Sequence, residues 1–196
     1  GKTTLLKKVA TLEIKTICPL HGPILKENLE YYINKYDTWS SYKPEDQGFF
    51  IAYASIHGYT KQAVEKLVEI LKEKGVEKIV ATDLSRCDFA EAIEDAFRYD
   101  KMILAAASYN TGIFPPMEQF LNHLQSKNYQ NRTIGIIENG SWAPSAAKTM
   151  KSIIEKMKNI KICNPTVTII SKMNNENIEN MKKLVDNMLG GENNEI

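Results

Sequence analysis

The chain has 196 residues, 43% of them hydrophobic and 25% charged, with a formal net charge of +1. That is enough for one full core and a small appendage, and the Lys and Arg residues form no basic stripe, which excludes the electrostatic footprint of a nucleic-acid binder. No apolar run approaches the roughly 20 residues that cross a bilayer and no signal-peptide pattern opens the chain, so the expected setting is the cytoplasm, without membrane attachment.

The first four residues spell GKTT, the second half of a phosphate-binding P-loop. The motif also needs an earlier glycine, a strand and the loop between them, so no nucleotide site is assigned there. A helical pattern near Thr4–Leu12, a short apolar run "IKTICPL" and a second helix carrying Leu25, Leu29, Tyr32, Ile33 and Tyr36 follow. Next comes "DTWSSYKPEDQG", whose Ser, Pro, Asp and Gly content reads as a linker. One strand and two helices cannot close a core. Residues 1–47 therefore read as an extension, either the end of something larger or an element docking on the main domain.

From about residue 48 short β-rich runs alternate with helical patterns. The expected strands are Phe49–Ala54, Lys78–Thr82, Met102–Ala107, Thr133–Ile137 and Val167–Ile170. Their continuous apolar character suits strands covered on both faces. Helical stripes lie between and after them: Val64, Leu67, Val68 and Leu71; Phe89, Ile93, Ala96 and Phe97; Met117, Phe120, Leu121 and Leu124. Ala146, Met150, Ile153, Ile154 and Met157 form a fourth, and Ile178, Met181, Val185 and Met188 a fifth. The methionines in these stripes have the spacing of a buried helix face and receive no chemistry. The expected fold is α/β: a doubly wound five-stranded parallel sheet of order 2-1-3-4-5 over residues 48–189, with a polar tail at 190–196 that frays. Cys18, Cys87 and Cys163 are too few and too scattered for a disulfide framework or zinc knuckle.

Ligands of doubly wound sheets sit beyond the carboxyl ends of the strands, where the strand order reverses. Three strand ends carry unusual loops: Ser55-Ile56-His57-Gly58-Tyr59-Thr60 after the first, Ser108-Tyr109-Asn110-Thr111-Gly112-Ile113-Phe114-Pro115-Pro116 after the third, and Glu138-Asn139-Gly140-Ser141-Trp142-Ala143-Pro144 after the fourth. In the first, Gly58 permits close backbone approach, Ser55 and Thr60 bring hydroxyls, and the helix that begins there aims unpaired amides at the site. This is a cradle for a phosphate monoester, held by neutral donors and the helix dipole because no Lys or Arg lies in the turn. Tyr109 and Trp142 add flat rings suited to a planar conjugated ligand. A phosphate joined to a planar ring describes FMN. The competing reading is ordinary turn and cap chemistry, with both rings as rim packing. No catalytic acid, nucleophile or metal site is expected.

"SIHGYTKQAVEKL" resembles the phosphate loop of flavodoxins, while "ASYNTGIFPPMEQFL" and "ENGSWAPSAAK" resemble the second and third flavin loops of flavodiiron proteins. "ICPLHGPIL" followed by "YDTWSSYKPED" is similar to the junction where their metallo-β-lactamase-like domain ends and their flavodoxin domain begins. The resemblance implies FMN held by the three loops, electrons from a rubredoxin or a reduced nicotinamide or deazaflavin system, a head-to-tail homodimer, and delivery to a di-iron centre that reduces dioxygen or nitric oxide. It also implies that His21 matches the last iron ligand. The chain departs from the family in having only His21, His57 and His123 and no H-x-E-x-D-H segment, so it cannot build that centre alone. His57 could donate to the phosphate or face solvent, and His123 is expected at the surface.

The expected function is thus an FMN-binding electron-transfer domain of a flavodiiron-type oxidoreductase. Two alternatives stay open: a flavodoxin-like NAD(P)H-dependent flavin or quinone reductase, whose usual arginine-containing first loop is lacking here, and a non-enzymatic interaction module of the same fold. A phosphoacceptor receiver is disfavoured, because the third strand ends in Ser108 where an aspartate would be needed.

Overall fold

The computed structural model describes residues 11–190, so the GKTT segment, most of the Thr4–Leu12 pattern and nearly all of the polar tail lie outside the described residues. The chain divides into two compact units, one up to Glu45 and one from Asp46. In the first, Ile17 and Leu25 form an isolated antiparallel bridge, with both N–H···O bonds at 2.9 Å, and helix α1 spans Leu29–Ser40. Leu25 thus precedes the helix whose stripe it was expected to share. The "DTWS" part of the expected linker is the last turn of α1. The hydroxyls of Thr38, Ser40 and Ser41 donate to carbonyls three or four residues back, which lets polar residues continue the helix. The expected linker also loses its far end to the first strand, which starts at Asp46.

The second unit runs β1 (Asp46–Ala54), α2 (Tyr59–Glu73), β2 (Ile79–Asp83), α3 (Phe89–Arg98), β3 (Tyr99–Tyr109), β4 (Gly112–Ile113), α4 (Pro115–Ser126), β5 (Gln130–Gly140), α5 (Ala146–Ile154), β6 (Lys158–Ile162), β7 (Val167–Ile170) and α6 (Asn175–Met188). The main sheet is parallel, β2-β1-β3-β5, and its next position is shared: β6 pairs with residues 130–134 of β5 and β7 with residues 137–140. The α/β doubly wound sheet and its strand order agree with the sequence. Two strands were not foreseen. β4 is a two-residue antiparallel partner of β3, and β6 follows directly on Met157, which the expected stripe had placed on α5; the helix instead ends at Ile154 and Met157 lies in the turn between them.

Alternate residues of β1 explain its unbroken apolar run. Phe50, Ala52 and Ala54 face a layer containing α3, α4 and α5, whereas Phe49, Ile51 and Tyr53 face α2 and α6. Both layers bury their side chains, so neither face of the strand can carry a polar period. Gly135 in β5 marks where α6 approaches most closely: a Cβ there would stand 2.7 Å from Met188 Sδ and 3.2 Å from Leu184 Cδ2. Gly135→Val is expected to lower stability by about 1–3 kcal/mol through overpacking. A thermal melt checks this, and an unchanged midpoint would mean that α6 is not held there.

Candidate functional site

β1, β3 and β5 end side by side, with the reversal of strand order between β1 and β3, the position where doubly wound sheets take ligands. A cleft of about 430 Å³ opens there, lined by Ile56, His57, Tyr59, Thr60, Ala107, Ser108, Tyr109, Asn110, Asn139, Gly140, Ser141 and Ser171. All three expected loops contribute. Ser55 and Gly58 line an adjoining depression on the other side of the first loop. Thr111, Gly112 and Trp142 do not line the cleft, and Trp142 is 90% exposed.

The first loop is built by Gly58, the N-cap of α2, at φ 87°, a left-handed conformation that glycine adopts without penalty. Beyond its own chain neighbours, nothing among the described residues lies within 4 Å of where its Cβ would be. Ser55 Oγ accepts the amides of Gly58 (3.1 Å) and Lys61 (3.3 Å), fixing the turn from inside. The Ser55 hydroxyl was expected to face the ligand; here its oxygen is engaged as the cap that the N-cap glycine cannot supply. Among the described residues, the amides of Tyr59 and Thr60, the first two of α2, find no partner, as the orphan donors of a helix start do. Thr60 is only 2% exposed, lines the cleft and has no partner for its hydroxyl among the described residues. The hydroxyl is thus uncommitted within the fold and placed at the cleft wall to bond a ligand.

The second loop is a hairpin. Tyr109 pairs with Gly112, and Asn110 and Thr111 turn the chain at φ 47° and 59°, the two positive angles of a type I′ turn. A β-branched residue is strained at such an angle, so the tip is held by the pairing around it. The turn keeps the half-exposed Tyr109 ring at the cleft, 6.1 Å between centroids from Phe114. In the third loop Asn139 is buried and donates through Nδ2 to Ser171 O at 3.0 Å, and Ser171 N–H donates to Gly140 O at 2.7 Å. These bonds bring Ser171, at the end of β7, into the wall. It and Ala107 were not among the expected site residues; the signal for Ser171 was its place at a fifth strand end.

Two helices start near the cleft, and they differ electrically. At α5, Ser108 Oγ accepts the amides of Ser145 (2.8 Å) and Ala146 (3.2 Å). Glu138 Oε2 accepts that of Ala147 (2.8 Å), while its other oxygen accepts the Thr168 hydroxyl (2.9 Å). A buried carboxylate already satisfies that helix end. The start of α2 keeps its donors, so an anion entering the cleft is drawn there. Among the described residues no Lys or Arg lines the cleft.

A larger hollow of about 890 Å³ lies in the first unit, lined mostly by apolar side chains together with His21. Among the described residues no group of three or more His, Cys, Asp or Glu could hold a metal ion. None of the described helices is long and apolar enough to cross a membrane.

Residues 50–193 match the family model described as Flavodoxin domain. An uncharacterised protein of Methanocaldococcus jannaschii is 26% identical over 156 residues, covering 78% of this chain and 38% of that protein. Among solved structures, the rubredoxin oxygen:oxidoreductase of Desulfovibrio gigas superposes with a TM-score of 0.86 at 17% identity, over 95% of this chain and 47% of that one. A flavo di-iron protein of Thermotoga maritima superposes at 0.79 with 22% identity, over 95% and 46%. At these identities the superpositions establish the fold. The chain spans less than half the length of each of these three proteins.

Proposed function

Because the chain belongs to the flavodoxin-domain family, whose cofactor is FMN, we propose that it is the electron-transfer part of a flavodiiron-type oxidoreductase, with FMN held in the cleft at the β1/β3 switch point. The observation that carries this placement is the uncommitted Thr60 hydroxyl at the cleft wall, beside the first-turn amides of α2 that find no partner among the described residues. They make a donor set for a phosphate monoester. A cleft of about 430 Å³ is in the size range of cofactor sites.

When bound, FMN supplies the redox chemistry. The chain's own contribution is binding and orientation. Tyr59 and Thr60 hold the anionic end with neutral donors, and Gly58 leaves the backbone open to close approach. Tyr109 offers a ring face, while Asn139 ties the third loop to Ser171 so that the wall keeps its shape. Glu138 keeps the α5 start from competing for the phosphate.

Electrons would arrive from a redox partner, a rubredoxin or a reduced nicotinamide or deazaflavin system, and leave to an acceptor carried by a longer protein or a second copy of the chain in a homodimer. The Desulfovibrio protein, by its name, pairs rubredoxin with oxygen. His21 is solvent-exposed within the first unit and would act as an iron ligand only with residues from beyond this chain.

The two rings separate under mutation. Tyr109→Ala is expected to weaken FMN and riboflavin alike, by up to about tenfold, the worth of one aromatic contact. Trp142→Ala is expected to change neither by more than about twofold, since a ring so exposed has little packing to lose. Flavin fluorescence titration measures both, and a large loss confined to Trp142→Ala would make that ring the clasp.

A further inference from the structure

We propose that the depression on the outer side of the first loop is a second ligand site, for a phosphorylated ribose. It has a volume of about 480 Å³ and is lined by Tyr53, Ser55, Gly58, Lys61, Asp83 and Arg86, and it shares Ile56 with the FMN cleft.

β1 and β2 are locked in register here, Tyr53 opposite Asp83, and the Leu84 amide donates to Tyr53 O at 2.8 Å. Tyr53 lines the depression, and its hydroxyl has no hydrogen-bond partner among the described residues. A phenol whose ring is packed in the fold while its hydroxyl stays uncommitted at the depression is placed to bond a ligand there. Burial, with the Asp83 and Glu65 carboxylates nearby, pushes this phenol up from its ordinary value, so it stays protonated and is a donor. Asp83 uses Oδ1 to accept the Ser85 amide at 3.0 Å, while its Oδ2 stands 3.9 Å from Arg86 Nε, too far for a hydrogen bond. That oxygen can accept from vicinal hydroxyls. Arg86 is largely exposed and Lys61 lies in loose contact with Glu65 at 3.9 Å, so both cations can swing onto an anion.

A carboxylate for a diol, two cations for a phosphate and an uncommitted phenol donor, at the carboxyl ends of adjacent parallel strands, together match a ribose phosphate. A simple anion would not need the carboxylate. A sugar without phosphate would not need the cations.

The test uses the full chain loaded with FMN, and calorimetric titration with 5′-AMP. Binding is expected in the millimolar range or tighter, on the order of −4 kcal/mol. Arg86→Ala is expected to reduce it about tenfold or more, the worth of a charge-assisted hydrogen bond. Asp83→Asn, or 5′-AMP lacking both ribose hydroxyls, is expected to weaken it, while inorganic phosphate binds more weakly and does not respond to Asp83→Asn. NADH as a second titrant separates the sources: binding that depends on Arg86 indicates a dinucleotide, and binding of 5′-AMP alone a mononucleotide. Absence of 5′-AMP binding, indifference to Arg86→Ala, or inorganic phosphate binding as tightly as 5′-AMP would overturn the proposal. So would displacement of FMN by 5′-AMP, or loss of FMN on Arg86→Ala, since either merges the depression with the cleft. FMN fluorescence quenching, read separately on wild type and Arg86→Ala, keeps failure here distinct from failure of the FMN assignment.

Discussion

Arg132→Met is expected to destabilise the flavodoxin domain by about 3 kcal/mol or more, read as a fall in the urea midpoint at unchanged slope. Arg132 is 3% exposed, near the amino-terminal end of β5, the end away from the cleft. Its Nε donates to Tyr99 O at 2.8 Å, Nη2 to Phe97 O at 2.6 Å, and Nη1 to Gln130 O and Asn131 O at 3.0 and 3.1 Å. The guanidinium thus ties the end of α3 and the start of β3 to the start of β5, and stands 5.7 Å from the Tyr129 ring. Burial pulls its pKa below the usual arginine range, with Tyr129 and Asp100 opposing, and burial pushes the Tyr129 phenol up. Arginine remains charged even so. Methionine fills much of the volume but leaves these carbonyls without their donors inside the fold. Arg132→Lys is expected to recover part of the loss, because an ammonium keeps the charge but not the fork. The cleft lies about seven residues further along β5, roughly 23 Å at strand rise, so the folded variant is expected to keep its FMN affinity. A loss under about 1 kcal/mol would show that the carbonyls find water instead.

The central strands were legible because burial on both faces leaves a continuous apolar signature. β1 and β3 lie between two layers of helices, and Phe49–Ala54 and Met102–Ala107 are apolar throughout. β6 was not legible for the converse reason. Lys158–Ile162 lies at the edge of the sheet with its lysines exposed, a common way of blunting an edge, and the spacing from Ile153 to Met157 continues a helical stripe without interruption. Met157 is buried, but by the turn after α5 rather than by the helix.

At the cleft, the loops were legible from their place at strand ends, while the exposure of individual side chains was not. Trp142 and Tyr109 look alike as loop aromatics. A hairpin turn keeps Tyr109 at the cleft, whereas the third loop leaves Trp142 outside it. The roles of Ser55 and Ser108 were likewise hidden: both look like ligand donors, and both accept amides at helix starts. Ser171 joins the wall only through its bonds to Asn139 and Gly140, on a strand 32 residues away from Asn139.

Thr60→Ala is expected to weaken FMN binding by about 10- to 100-fold, the 1.5 to 3 kcal/mol of a hydrogen bond to a charged group, and to leave riboflavin binding nearly unchanged. Riboflavin has the ring but not the phosphate, so the ratio of the two affinities isolates the anion's contribution. Thr60 is buried at the wall with its hydroxyl uncommitted, and the amides beside it remain in the variant. The residual preference for FMN therefore measures what the α2 start contributes alone. Ser55→Ala acts differently. It removes the acceptor for the Gly58 and Lys61 amides, so the loop loosens before any ligand arrives. FMN is again expected to suffer more than riboflavin, but less than in Thr60→Ala, because two newly unpaired amides partly replace the lost rigidity with new donors. Equal losses of FMN and riboflavin in both variants would place the phosphate away from this loop. They would leave the start of α2, with its uncapped amides and uncommitted hydroxyl, in need of a different anion.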